Sequence, residues 1–544
     1  MSKIKFAGRG IYIFLLFIFP FFVYMPSLSY KNVYLDDNAL TENSSESIKN
    51  IFAKDIFFGK DVKSGFYRPL MALSFYSDRK IAMLFAKRTD LPGNDKDDKS
   101  DKLPYGMEFV CHFTNIMLHS FFCLLLLKML SSYGINYVNA YIASVFFAVL
   151  PYNATAVSWL GGRNDIILGI FISLPMILLK KFEQAAFPVN KEDFSVIKNN
   201  KNVYIEMLKP LAAMSVFFTF ALFSKETAVS FVPAAVLAFI ISLAFFHKEN
   251  IDGDKFFHKR IKTYIAMLCV SLIIPLIVYF SFRMKADLAQ NAFAHIDFHS
   301  IFRLPHIIAG YLLSMPVFLS LPKNLSFIVS YLILPAVFFV PVFLMRKPSR
   351  HIPNAITGMS VFLFFLIPPL LSTDSPDGWF YMRHRLYLPL AGLILYIVSF
   401  YENMLVSHKN IFMKKNFLMA FLSILFVFSA ANSILDSMNF KNKLEFHSKQ
   451  LEENRSKLGE YLNAAGEWYF GNQFDFSYFY YKKAREAGYE TPVQYLHLSY
   501  MEMANGNLIP ACEEIRQGLR KFPDDKYLKD NMEQFKMAGI SADN

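Results

Sequence analysis

Long apolar runs separated by short polar segments dominate the first 430 residues of the chain. Each run is close to the length of about 20 residues that an α-helix needs to cross a bilayer. The runs lie at 11–28, 107–130, 138–150, 165–179, 204–223, 226–246, 263–282, 303–320, 326–345, 353–371, 386–402 and 415–433. The pattern predicts an all-α, polytopic membrane protein.

Basic loops orient the predicted helices, because Lys and Arg accumulate on the cytoplasmic side of membrane proteins. Four basic segments, 180–209, 248–262, 346–350 and 409–415, are expected to face the cytoplasm. Alternating crossings satisfy all four only if one run does not cross, and the best candidate is 303–320, which contains two prolines and a histidine. About eleven transmembrane helices remain, with a cytoplasmic N-terminus and an extracytoplasmic tail.

The first apolar run is predicted to be an uncleaved helix. Lys3, Lys5 and Arg9 precede it, as in a signal peptide, but no small-residue cleavage site follows it. A polar stretch, 30–104, then forms the first extracytoplasmic loop of a membrane domain that covers 1–433. Its low-complexity part, 94–102, is expected to be solvated surface.

The tail, 437–544, has a weak internal repeat. Tyr461-Leu462 and Tyr495-Leu496 are 34 residues apart, and the same offset relates two Gly/Asn pairs and relates Ala484 to Gly518. A period of 34 residues is that of the tetratricopeptide (TPR) repeat, a helical hairpin. The tail is predicted to be a TPR-like hairpin domain that binds an acceptor or partner protein, and an unrelated helical bundle is the alternative.

Composition supports the membrane interpretation. The 544 residues are 54% hydrophobic, 17% aromatic and 18% charged, and the mean hydropathy is +0.29. These values exclude a disordered chain, a coiled coil and an ordinary cytosolic enzyme. The net charge of +12 divides into +14 before Ser437 and −2 after it, so the basicity reflects topology and indicates no nucleic-acid partner. The four cysteines are scattered and suggest neither a disulfide framework nor a metal site.

Polar residues at the predicted outer ends of the helices are the candidates for chemistry, since ionisable groups near a bilayer are costly. A carboxylate is able to take a proton from an acceptor hydroxyl, and Lys and Arg are able to hold a phosphate leaving group. Together they suggest group transfer from a lipid-linked phosphate. The candidates are Asp36, Asp37, Arg68, His112, Asn115, His119, Trp159, Arg163, Asp165, Lys225, Glu226, Arg383 and Arg385.

Each candidate also has a purely structural interpretation. The two aspartates are a solvated pair at a helix end, and Arg163 with Asp165 is an interfacial ion pair. His112, Asn115 and His119 share one helix face, where they hydrogen-bond between helices. The order of the whole set along one predicted face favours the chemical interpretation.

That order carries a resemblance to a known family. The motifs are Leu-Asp-Asp, Tyr-Arg-Pro-Leu, His-Phe-Thr-Asn-Ile-Met-Leu-His, Phe-Ala-Val-Leu-Pro, Ala-Val-Ser-Trp-Leu-Gly-Gly-Arg-Asn-Asp, Phe-Ser-Lys-Glu-Thr-Ala and Leu-Tyr-Leu-Pro-Leu-Ala-Gly. The series resembles the GT-C glycosyltransferases of the transmembrane-and-TPR O-mannosyltransferase family and their bacterial relatives. The similarity covers nearly the whole chain.

The resemblance implies an enzyme that takes a mannose-like hexose from a polyprenyl-phosphate donor outside the cytoplasm. It implies that Asp36 or Asp37 supplies the base, with Asp36 favoured, and that the reaction inverts the sugar. Donor-binding roles follow for Arg163, Asp165, Lys225 and Glu226, and we extend them to Arg68, Arg383 and Arg385. Site-shaping roles follow for His112, Asn115, His119, Trp159 and Tyr387.

Two motifs depart from the family pattern. Leu150-Pro151 stands where His-Pro is usual, and Arg383-His384-Arg385 stands where Glu-Arg is usual, so one carboxylate is missing. No spacing of metal ligands is distinctive, and we expect no essential metal. The few cysteines and the short tail favour a bacterial inner membrane.

Other functions stay open at this point. The same chemistry serves glycosylation of a lipid or a cell-envelope polysaccharide. A lipid or solute transporter predicts charges in the middle of helices and internal repeats of the membrane part, whereas these charges cluster at helix ends. A membrane-anchored TPR scaffold leaves the ordered polar set unexplained.

Overall fold

The computed structural model describes residues 6–31, 37–42, 47–56, 65–85, 106–186, 203–250, 255–286, 351–371, 381–407, 415–442, 445–446, 465–466, 469, 474–486 and 488–540. Two compact units divide the chain, a membrane unit, 1–440, and a tail unit, 441–544. We describe each unit by itself.

Fourteen α-helices are described in the membrane unit. They are α1 Phe6–Tyr24, α2 Asp37–Glu42, α3 Ile48–Ala53, α4 Pro69–Phe85, α5 Met107–Ser132, α6 Tyr137–Ala148, α7 Tyr152–Ser158, α8 Arg163–Ala186, α9 Val203–Ser224, α10 Phe231–Asn250, α11 Lys255–Lys285, α12 His351–Leu371, α13 Tyr387–Ser407 and α14 Lys415–Met438. Helices satisfy their backbone polar groups internally, which apolar segments in a bilayer require.

The described helices confirm an all-α, polytopic membrane protein. Seven of them are long and apolar enough to cross a membrane, or eight if the bent pair α6 and α7 is one span. Helix α11 exposes a wide apolar face, as a lipid-facing span does, through Ile265, Val270, Ile273, Ile274 and Ile277. The runs 303–320 and 326–345 lie outside the described residues, so the count of about eleven crossings stays a prediction.

Helix α5 lies at the centre of the membrane unit and packs against α1, α4, α6 and α8. Its buried face combines apolar side chains, including Ile116, Phe122 and Leu126, with four polar ones. The polar ones are His112, Asn115, His119 and Ser120. The core therefore carries polar groups toward one end of α5, where the site is built.

The segment between α1 and α5 contains three described helices, α2, α3 and α4. Tyr67 is fully buried, and its hydroxyl donates to the carbonyl of Phe52. Arg283, near the end of α11, donates to the carbonyl of Gly65. This part of the chain is therefore tied to the transmembrane helices, which its polar composition did not predict. The stretch 94–102 lies outside the described residues.

A tight connection links α6 to α8. The axes of α6 and α7 differ by 64°, and Pro151 caps α7, where a missing backbone N–H costs nothing. A 3₁₀ turn, Leu160–Gly162, leads into α8. A side chain on Gly162 would lie 2.7 Å from the backbone of Thr155 and Ala156, so only glycine allows this turn to close against α7.

Four helices are described in the tail unit. They are α15 Phe474–Glu486, α16 Pro492–Ala504, α17 Leu508–Lys521 and α18 Lys526–Met537. Thr491 and Gln494 form a capping box at the start of α16. At Gly518 a side chain would lie 2.9 Å from Tyr495, and Ala484, 34 residues earlier, is fully buried. The paired small residues fit helical hairpins, and the TPR assignment itself stays a prediction.

Candidate functional site

Helix ends from distant parts of the chain meet at the candidate site. The contributing segments are α2, the residues before α4, the Leu160–Gly162 turn with the start of α8, the α9–α10 junction and a 3₁₀ turn before α13, Tyr381–Leu386. Their polar residues are between 37 and 385 in sequence and are brought together only by the packing of the helices.

A buried ion pair forms the middle of the site. The Nζ atom of Lys225 donates to both carboxylate oxygens of Asp165, each at 2.7 Å. The Nε2 atom of His384 lies 4.0 Å from the same carboxylate. Lys225 is only 6% exposed and Asp165 3%. Because buried charges need partners, the two residues hold the start of α8 against the α9–α10 junction.

A second ion pair lies beside the first and is less buried. Arg68 donates through Nε and Nη2 to the carboxylate of Glu226, with the shortest distance 2.9 Å. Its guanidinium also covers the exposed ring of Phe66 at 4.3 Å. Glu226 follows Lys225 directly, so the Ser-Lys-Glu turn contributes one member to each pair.

The residues around these two ion pairs include more cations than carboxylates. Arg68 and Arg385 both act electrostatically on Asp165 and on Lys225. Burial lowers the pKa of the Lys225 ammonium, Asp165 opposes that shift, and the two arginines reinforce it. Three cations, Arg68, Lys225 and Arg385, thus face two carboxylates, Asp165 and Glu226. We call these five residues with His384 the cation cluster, and its excess charge favours an anion.

Asp37 lies against the Leu160–Gly162 turn. It is 2% exposed, begins α2, and accepts a hydrogen bond of 3.3 Å from the backbone N–H of Gly161. Thr41 donates to its carbonyl. Asp36, the favoured base, lies outside the described residues.

The indole of Trp159 contacts His384 of the cation cluster and lies against Gly161, whose backbone N–H donates to Asp37. Its ring packs edge-to-face on His384, with the centroids 5.0 Å apart. Its Cζ2 and Cε2 atoms are so near Gly161 that a side chain there would lie 2.5 and 2.7 Å from them. One aromatic ring therefore contacts both the imidazole beside Asp165 and the glycine that binds the carboxylate on α2.

Arg163 is fully enclosed by protein groups. It forms an ion pair with Asp78 at 2.6 Å and covers the ring of Phe75 at 3.9 Å. It also donates to Asn115, to Ser74 and to the carbonyl of Cys111. The residue is 0% exposed. These contacts join α4, α5 and α8 into one wall behind the site.

Three polar residues on one face of α5 have different surroundings. Asn115 donates to the carbonyls of Val157 and Trp159. His119 bonds the hydroxyl of Tyr387 at 2.7 Å through Nδ1 and the Ala148 carbonyl through Nε2. His112 is 1% exposed, and neither ring nitrogen has a hydrogen-bond partner among the residues that the structure describes.

Arg383 lies at the edge of the site rather than in the cation cluster. Its Nη1 atom is 3.4 Å from Asp436 near the end of α14, and its guanidinium lies 6.0 Å from the ring centre of Tyr152. Ser437, the next residue of α14, bonds Ser158 and Tyr30. The last turn of α14 therefore contacts three elements that border the site.

Sequence reasoning did not single out several residues of the site. Asp78 and Ser74 hold Arg163, Thr114 donates to Asp78, and His384 lies between the indole and Asp165. The signal available was weak, since Asp78 stands inside a polar stretch and is balanced by neighbouring cations in the sequence. Within the described residues no three His, Cys, Asp or Glu side chains form a metal-binding group.

Comparisons with known proteins give one structural likeness to report. No family model matches the chain, and no curated protein sequence does. Among solved structures it is similar to the O-mannosyltransferase Pmt1-Pmt2 complex of S. cerevisiae bound to the sugar donor, with 17% sequence identity and a TM-score of 0.34. The match covers 52% of this chain and 35% of the yeast chain, so it spans about a third of that protein.

Proposed function

We propose that the protein is a membrane glycosyltransferase that moves a hexose from a polyprenyl-phosphate donor to a hydroxyl of an extracytoplasmic protein. The observation that carries the proposal is that one indole ring contacts both His384 of the cation cluster and the glycine that binds Asp37 at the start of α2. A sugar phosphate needs a base near the acceptor oxygen and cations near the leaving phosphate, within the length of one sugar. The polytopic helices supply a setting for a lipid-linked donor.

Phosphate binding is assigned to Lys225, Arg68 and Arg385. Glu226 and Asp165 hold the first two cations in position by ion pairing. Arg68 is the more accessible of the two, with its side chain 12% exposed, and Arg side chains bind phosphate bidentately. Arg383, paired with Asp436, contributes positive charge from the rim.

The base is assigned to Asp36. Asp37 already accepts the Gly161 N–H, which suits it to fixing α2 on the turn beside the indole. In the proposed step the carboxylate takes the acceptor hydroxyl proton, and the oxygen attacks the anomeric carbon. The bond from that carbon to the phosphate oxygen breaks, its electron pair stays on the polyprenyl phosphate, and the configuration inverts.

Arg163 is proposed to position the site rather than to bind phosphate. Its four polar contacts, with Asp78, Asn115, Ser74 and the Cys111 carbonyl, occupy all three guanidinium nitrogens, and Phe75 covers its face. Removal of one partner of such a buried pair costs about 3–5 kcal/mol. We therefore expect Arg163 variants to fail in folding before they fail in chemistry.

Transfer from a defined donor tests the function. The purified full chain is supplied with radiolabelled polyprenyl-phosphate mannose and a Ser/Thr-rich peptide, and label in the peptide is measured. We expect transfer by the wild type, and loss of at least about 100-fold in Asp36→Asn, as for removal of a catalytic base. Wild type that labels lipid or polysaccharide instead of peptide redirects the acceptor, and unchanged transfer in both Asp36→Asn and Asp37→Asn contradicts the assigned base.

A matched pair of lysine variants tests the phosphate site. Lys225 contacts the start of α8, where it pairs with Asp165. Lys180 belongs to α8 itself and pairs with Glu183 near the end of the helix. Lys225→Met is expected to abolish transfer, whereas Lys180→Met retains it. Because Lys225→Met leaves Asp165 unpaired, the double variant Lys225→Met/Asp165→Asn is included; it should recover folding but not transfer. Recovery of transfer in the double variant would show that the pair serves only structure.

A further inference from the structure

The indole nitrogen of Trp159 is a buried donor with no hydrogen-bond partner among the residues that the structure describes. Trp159 is 6% exposed, and its Nε1–H finds no acceptor in the described part of the chain. Buried Trp N–H groups usually have a hydrogen-bond partner. An unsatisfied N–H group lowers the stability of the fold, and an apolar aromatic side chain such as Phe at this position would avoid that cost.

The position of this donor is as informative as its lack of a partner. Cε2, the carbon bonded to Nε1, belongs to the edge of the indole that faces Gly161, and the N–H of Gly161 donates to Asp37. The ring system also packs edge-to-face on His384, which lies beside Asp165 and its partner Lys225. The indole therefore neighbours both the turn that binds the carboxylate and the cation cluster.

Local structure fixes the ring in this place. Gly161 has no side chain to compete with the indole, because even a methyl group would overlap its six-membered ring. The Trp159 carbonyl accepts from Asn115, which also holds Arg163. The wall behind the site thus orients the backbone of Trp159, and the glycine makes room for its ring.

We infer that Trp159 is the sugar-specificity residue of the site and that its Nε1–H donates to a hydroxyl oxygen of the transferred hexose. The inference rests on the proposed function, since it needs a sugar between base and phosphate. The chemistry required is a neutral oxygen acceptor on a ring of mixed apolar and polar faces, which a hexopyranose provides. The indole contributes a flat apolar surface as well as the donor.

Deoxy donors separate this role from simple packing. Wild type and Trp159→Phe are compared with polyprenyl-phosphate mannose and its 2-, 3-, 4- and 6-deoxy analogues. Loss of one neutral hydrogen bond should reduce kcat/KM for the parent donor by about 3- to 10-fold. For one deoxy analogue, kcat/KM with wild type should be lower than for the parent donor by a similar factor. With Trp159→Phe, that analogue and the parent donor should have equal kcat/KM. The inference is overturned if, for all four analogues, the factor lost through Trp159→Phe multiplies the factor lost through the missing hydroxyl. It is also overturned if Trp159→Phe has the same kcat/KM as wild type with every donor.

Fluorescence provides a readout independent of turnover. The chain has three tryptophans, at 159, 379 and 468, so Trp379→Phe/Trp468→Phe leaves Trp159 as the single reporter. Its emission should change on addition of polyprenyl-phosphate mannose and change less with sugar-free polyprenyl phosphate. An equal response to both lipids, in a variant that still transfers sugar, overturns the inference.

The two proposals fail in different ways. If wild type transfers mannose and Trp159→Phe behaves as wild type with every donor, the function stands and the role of Trp159 falls. If wild type transfers sugar from none of the lipid donors, the proposed function falls and this inference falls with it. Gly161→Ala, which must displace the indole, should reproduce the kinetic pattern of Trp159→Phe in the first experiment.

Discussion

Two histidines on the same face of α5 are expected to affect the stability of the fold in opposite directions. His119 bonds Tyr387 and the Ala148 carbonyl, so it links α5 to α13 and to α6. His112, two turns earlier on the same helix, is equally buried but has no hydrogen-bond partner among the described residues. Their spacing in the sequence predicts the same role for both histidines. Their surroundings show that one holds helices together and the other is a cost to folding.

Leucine substitutions at the two positions test this difference. His119→Leu leaves the Tyr387 hydroxyl without a partner in the core and should lower the stability by about 1–3 kcal/mol. His112→Leu removes two unsatisfied nitrogens and should be neutral or stabilising. Thermal unfolding in detergent, followed by light scattering and intrinsic fluorescence, measures the order of the apparent melting temperatures. A His112→Leu protein less stable than His119→Leu would contradict the assignment.

Arg163 shows the same limit of residue-level reasoning. An arginine at the start of a membrane helix is a plausible phosphate ligand, and the sequence placed it in that role. Its partner Asp78 lies 85 positions earlier, in a stretch whose composition resembles a surface loop. Only the fold shows that the guanidinium is enclosed, while Arg68, in the same polar stretch, lies nearer the surface.

At the scale of elements, close packing of two helices positions the His384–Arg385 turn. Gly358 on α12 and Gly392 on α13 face each other so closely that a Cβ on either would lie 2.6 Å from the carbonyl oxygen of the other. Small residues allow such contact between membrane helices. Since α13 begins immediately after the 3₁₀ turn that carries His384, this crossing supports the site.

Alanine at either glycine should disturb both packing and activity. The added methyl has only backbone to displace, and overpacking of this kind costs about 1–3 kcal/mol. We expect Gly358→Ala and Gly392→Ala to lower the melting temperature and to reduce sugar transfer. Gly10→Ala on α1 is the control, because no atom lies within 4 Å of a Cβ there. Equal stability of the three variants would show that the helices tolerate a wider separation.

Hydrophobic patterning predicted the long helices well and the intervening structure poorly. The runs 353–371 and 386–402 correspond to His351–Leu371 and Tyr387–Ser407, because a span must be apolar along its whole length. Helices α2, α3 and α4 were missed, because they combine polar surface with a few buried side chains such as Ile51 and Phe75. The ion pairs were missed because their partners, for example Lys225 and Asp165, are 60 residues apart.

At the scale of the molecule, charge and hydropathy separate two units with different physics. The membrane unit depends on buried ion pairs and on close contact between helices, whereas the tail unit has a small core that includes Tyr495, Cys512, Ile515 and Leu528. The net charge changes from +14 to −2 near the same boundary. The proposed acceptor-binding role of the tail therefore depends on a small helical unit of limited stability.

A half-buried histidine should make the tail unit sensitive to mild acid. His497 stacks on Tyr469 with the ring centroids 3.9 Å apart and bonds the hydroxyl of Tyr481 through Nδ1. Burial lowers the pKa of His497 from 6.5 to about 4. The folded unit therefore binds fewer protons than the unfolded chain between these values, so its stability is complete above pH 6.5 and decreases as the pH falls toward 4.

Thermal unfolding of the full chain between pH 7.5 and 4 tests this coupling, with Trp468 as a probe in the tail unit. A Trp159→Phe/Trp379→Phe background leaves that tryptophan as the single fluorophore of its kind. The transition it reports should move to lower temperature below pH 6.5, and His497→Phe, which keeps the ring stack without a titrating group, should reduce this dependence. His384→Phe in the membrane unit is the control and should leave the transition of the tail unchanged. An equal pH dependence with and without His497 would assign the acid sensitivity to other groups.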